Sequence, residues 1–85
     1  MYDLKYKDDK GATDMKIAIF GASGGIGKHA VQYALDKGYE VNAFARNTDN
    51  LSITHKNLTK IRGEISDYEA VKEALAGCNA VIWCI

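Results

Sequence analysis

The chain has 85 residues, and its eleven lysines and arginines balance eleven aspartates and glutamates to a formal net charge of zero. That balance excludes a basic stripe for nucleic acid and a polybasic segment for anionic membrane, so neither partner is expected. Residues 1–14 are polar and lack the apolar core of a secretory signal, and no apolar run approaches the roughly 20 residues of a membrane span; a cytoplasmic setting is expected.

The leader reads in two ways. Its Tyr6-Lys7-Asp8-Asp9-Lys10 stretch resembles an acidic epitope or cleavage tag from an expression vector, which makes Met15 the natural start. The alternation of Tyr2, Leu4 and Tyr6 equally suits an extra edge strand over 2–7 with one buried face.

From Met15 the pattern alternates strand and helix. A continuous apolar strand over 17–20 runs into Gly21-Ala22-Ser23-Gly24-Gly25-Ile26-Gly27, and a helix over 25–37 follows with Ile26, Ala30, Val31, Ala34 and Leu35 as its inner face. Gly38 ends that helix as a left-handed cap, and a second strand covers 39–45 with Val41, Ala43 and Phe44 as apolar positions. Residues 47–50 form a polar turn or short helix. A third strand over 58–62 leads to Asp67, an N-cap for a helix to about residue 76 with Val71 and Leu75 inward and Gly77 as its stop. A fourth, wholly apolar strand covers 80–85. The absence of proline agrees with a chain made mostly of regular elements.

A strand that turns through glycines into a helix is the arrangement that seats a dinucleotide pyrophosphate, because the helix start supplies unpaired N–H groups and a positive dipole end. Three glycine fingerprints overlap here: Gly21-Gly24-Gly27, Gly21-Gly25-Gly27 and Gly25-Gly27-Ala30. The tight turn must come directly off the strand, so Gly21 is its first glycine and the third register starts too late; the first two stay open. A phosphate loop of the ATP- and GTP-binding kind fails, since Ala22 stands where its first glycine is required and His29 where its magnesium-binding hydroxyl is required. Lys28 and His29 then read as surface helix residues.

The fold expected is α/β, a truncated Rossmann-like parallel sheet in strand order 3-2-1-4 with helices on both faces. Cofactor choice is read at the end of the second strand, where an acidic residue bonds a ribose hydroxyl and a basic one accepts a 2′-phosphate. This chain has Ala45-Arg46-Asn47, so NADP(H) is preferred over NAD(H), with the planar donor fork of Arg46 facing the phosphate. Set against this is an ordinary solvated arginine at a strand end. Cys78 and Cys84 match no zinc or redox spacing and read as reduced packing thiols.

With these residues in view, the stretch 15–85 resembles the atypical short-chain dehydrogenase/reductase superfamily, especially its NmrA-like and flavin or biliverdin reductase-like NAD(P)-binding proteins. The marks are the strand into Gly21 to Gly27, Ala45-Arg46-Asn47 after the second strand, and Arg62-Gly63-Glu64-Ile65-Ser66-Asp67 after the third. The resemblance implies Ser23, Gly24, Gly25 and Ile26 around the phosphates, Arg46 at the 2′-phosphate, and Glu64 with Ile65 at the adenine. Glu64 stands where that family usually has Asp. Family members continue through further strands carrying the nicotinamide and substrate pockets and any Tyr-Lys catalytic pair, so 15–85 corresponds to the N-terminal half of such a domain. None of His29, His55 and Tyr33 has a partner in a motif, so no catalytic residue is expected.

An apolar strand at a sheet edge is an aggregation hazard, so a homodimer or another chain is expected to cover 80–85, with Trp83 and Tyr6 as aromatic anchors. Two functions follow. One is the NADP(H)-binding half of an NAD(P)-dependent oxidoreductase, not catalytic alone; the other is a self-associating interaction module whose dinucleotide loop is vacant.

Overall fold

The computed structural model describes residues 15–84. The edge strand or tag read at 2–7, the anchor Tyr6 and the terminal Ile85 lie outside the described residues.

In chain order the elements are β1 (Lys16–Phe20), α1 (Gly25–Asp36), β2 (Glu40–Ala45), a 3-10 turn (Thr48–Asn50), β3 (Leu58–Arg62), α2 (Tyr68–Leu75) and β4 (Ala80–Trp83). All four strands pair in parallel in the order β3-β2-β1-β4, with Ile19 opposite Ala43 on one side and Ile82 on the other. The expected order 3-2-1-4 is the observed one.

Strand residues alternate between faces, and that period of two sorts the core into halves. Ile17 and Ile19 of β1 pack with Val41 and Ala43 of β2, Leu51, and Val31, Ala34 and Leu35 of α1. Ala18 and Phe20 face the other way and pack with Phe44, Ile61 and Ala74 of α2. The helices therefore lie on opposite faces, which is why β1 is buried on both sides and reads as a continuous apolar run. The Phe20 and Phe44 rings meet at 4.9 Å between centroids.

The helix ends follow the expected chemistry. Gly38 has φ of 90° and Gly77 has φ of 74°, both in the left-handed region. The Asp67 side chain caps α2 by accepting the Ala70 N–H at 3.3 Å.

Two inward assignments are corrected. Ile26 is 77% exposed, because the inner stripe of α1 is Gly27, Val31, Ala34 and Leu35, one residue further round the helix. On α2 the fully buried residue is Ala74, while Leu75 is 40% exposed. Near the start of α2 the helix approaches the sheet closely, since a Cβ on Gly63 would lie 2.7 Å from that of Ala70.

Asn42, in the middle of β2, is a buried polar residue that the apolar pattern did not reveal. Its Nδ2 donates to the Ala74 carbonyl at 3.0 Å, satisfying one of the orphan carbonyls at the end of α2. The Cys78 thiol donates to the same carbonyl at 3.3 Å. Burial pushes that thiol up from its ordinary range, against the opposing pull of Lys16 and the hydrogen bond from Asn42. Both cysteines are free and half-buried, and Cys78 packs against the second core cluster.

β4 presents its outer edge without a strand partner among the described residues, and Val81, Ile82 and Trp83 are all exposed. Trp83 nonetheless keeps one contact inward, its ring 5.1 Å from that of Phe20. No helix among the described residues is long and apolar enough to cross a membrane.

Candidate functional site

Because all four strands run the same way, the segments leaving their C-terminal ends share one rim, the place where open α/β sheets bind ligands. Gly21 leaves β1, Arg46 leaves β2, Gly63 leaves β3 and Cys84 leaves β4, and all four line a single cleft of about 840 Å³.

The glycine loop forms one wall. Gly21 has φ of 82°, a conformation that turns the chain sharply off β1 and that only glycine adopts freely. The loop is fastened to β2 because the Gly21 and Ala22 N–H groups both donate to the Phe44 carbonyl, at 3.0 and 3.2 Å. Gly27 sits behind it, fully buried, and its missing Cβ lets α1 press on the Gly21 and Ala22 backbone. These two glycines are required by the fold.

Gly24 and Gly25 are not. Neither has positive φ; a Cβ on Gly24 would make an ordinary 3.6 Å contact and one on Gly25 would meet nothing within 4 Å. Yet the N-cap of α1 is Gly24, with no side-chain capping bond and no acidic residue in the first turn. The N–H groups of Ser23, Gly25 and Ile26 find no backbone acceptor among the described residues. Open N–H groups beneath two glycines that no internal contact demands make a cradle that fits a phosphate, with the helix dipole adding to the attraction. The donor set suits a dinucleotide.

Arg46 and Asn47 stand on the β2 side of the cleft, and Glu64 and Ile65 on the β3 side. The cleft thus joins Gly21, Ser23, Gly24, Arg46, Glu64 and Ile65 of the residues singled out from sequence. Gly25 and Ile26 lie beside it, exposed in the first turn of α1, and Gly27 lies behind it.

Phe44, Ala45, Asn47, Asn50, Gly63, Ser66 and Cys84 also line the cleft and were not singled out as site residues. Their common signal is position, since each lies at or just beyond a strand C-terminus or in the turns that follow. His29 and Tyr33 are exposed on α1, and the His55 Nδ1 accepts the Asn57 N–H at 3.0 Å, so its imidazole serves a loop. Among the described residues no group of three metal-ligating side chains comes together.

Residues 21–85 match the model of a family described as NAD(P)H-binding. Curated relatives include sterol-4-alpha-carboxylate 3-dehydrogenase, decarboxylating, of Dictyostelium discoideum, 30% identical over 69 residues that cover 80% of this chain and 21% of that protein. Cinnamoyl-CoA reductase 1 of Arabidopsis thaliana is 33% identical over 73 residues, covering 76% of this chain and 21% of that one. The chain therefore spans about a fifth of the length of these relatives.

Among solved structures, a candidate epimerase from Bacteroides thetaiotaomicron superposes with a TM-score of 0.76 at 32% identity, covering 86% of this chain and 34% of that one. A short chain dehydrogenase from Burkholderia cenocepacia in complex with NADP shares the fold, with a TM-score of 0.74 at 21% identity over 85% of this chain and 32% of its own. A 4-hydroxyisoleucine dehydrogenase complexed with NADH has a TM-score of 0.60 at 32% identity, over 71% of this chain and 26% of its own. Both dinucleotides are thus bound by structural neighbours. The strand order, the glycine turn and the family match agree, and the chain belongs to the NAD(P)H-binding family, as a Rossmann domain similar to a cinnamoyl-CoA reductase and to a candidate epimerase.

Proposed function

We propose that residues 15–85 are the cofactor-seating N-terminal half of an NAD(P)-dependent oxidoreductase, preferring NADP(H) to NAD(H) and not turning over a substrate alone. The observation that carries the reading is the cradle of free N–H groups at the start of α1 under Gly24 and Gly25, two glycines without an internal reason to be glycine. The pyrophosphate lies there, over Ser23, Gly24, Gly25 and Ile26, with Gly21 and Gly27 holding the loop in shape. Arg46, the single cation among the described lining residues, takes the 2′-phosphate in a charge-assisted pair. Glu64 and Ile65 flank the adenine, the carboxylate accepting from its amino group and the isoleucine covering its ring. The bound dinucleotide supplies hydride transfer, and the chain's own groups bind and orient it. The family match favours this reading over an interaction module with a vacant loop.

The test is titration of the protein with NADPH and NADH by calorimetry, with Arg46→Ala alongside. Saturable binding of NADPH is expected, and Arg46→Ala should weaken it about tenfold, the size of one hydrogen bond to a charged group, while changing NADH little. Absence of binding to folded protein overturns the reading; equal losses for both cofactors overturn the role of Arg46.

The same proposal includes a second copy covering β4, supported by the exposed Val81, Ile82 and Trp83 on an edge that has no strand partner among the described residues. Light scattering is expected to show a dimer that Val81→Lys converts to monomer, and a monomeric parent protein would remove the dimer from the proposal.

A further inference from the structure

We draw no further inference here: the strongest candidate, the exposed apolar face that Val81 and Trp83 of β4 present on the same side of the sheet as α2, carries nothing beyond the second copy already proposed, because nothing among the described residues shows what covers it.

Discussion

Gly27→Ala is expected to cost about 3 kcal/mol or more of folding stability, at the upper end of what overpacking a core produces. A Cβ at 27 would overlap the Gly21 carbonyl oxygen and stand 2.8 Å from the Ala22 Cα and 2.9 Å from the Gly21 carbonyl carbon. Every one of these is a backbone atom, so no flexible side chain can move aside. Nor can the loop retreat, since the Gly21 and Ala22 N–H groups are bonded to Phe44 of β2 and the Gly21 carbonyl accepts the Gly24 N–H. The relief open to the protein is to lift α1 off the sheet, which exposes Val31, Ala34 and Leu35. Small domains have total stabilities of about 5–15 kcal/mol, so a loss of this size removes much of the margin. Chemical denaturation followed by circular dichroism should show a midpoint far below that of the parent, or no folded baseline. A midpoint matching the parent would mean that α1 does not pack as closely on the loop as the structure places it.

Most of the fold was legible because the local signals agree with one another. The apolar run of β1, the glycine turn after it, Gly38 and Gly77 at helix ends and the Asp67 cap are short-range statements, and each element lies within a residue or two of its expected bounds. The misses come from packing between elements. Helical spacing puts Leu75 inward, but Ala74 takes the buried place and Leu75 is 40% exposed, a turn of one residue about the helix axis that spacing alone does not fix. Ile26 was assigned inward for the same reason, although Gly27 takes the contact. Asn42 was hidden because its partner, the Ala74 carbonyl, is 32 residues away in sequence. At the site, the glycines and Arg46 carry residue-type signals, whereas Asn50 and Ser66 join the cleft through the path of their loops.

Gly25→Ala is expected to do the reverse of Gly27→Ala, leaving the fold intact and damaging binding. Gly25 is the first residue of α1, lacks positive φ, and a Cβ there meets no protein atom within 4 Å. Alanine suits a helix better than glycine, so stability should hold or rise by about 0.5–1 kcal/mol. The added methyl, however, stands among the open N–H groups of the first turn, where a pyrophosphate must come within hydrogen-bonding distance of backbone. Losing that approach sacrifices at least one charge-assisted bond, about 2 kcal/mol, or roughly a 30-fold weaker dissociation constant. The pyrophosphate is common to both cofactors, so NADPH and NADH should weaken alike, in contrast to the NADPH-selective loss on Arg46→Ala. Thermal melts and paired titrations on the same protein stock check both halves. Unchanged affinity in Gly25→Ala would move the pyrophosphate off the start of α1, and a fall in stability would mean that Gly25 is glycine for the fold's sake after all. A stable protein that loses both cofactors together would tie the two unexplained glycines of the loop to the ligand.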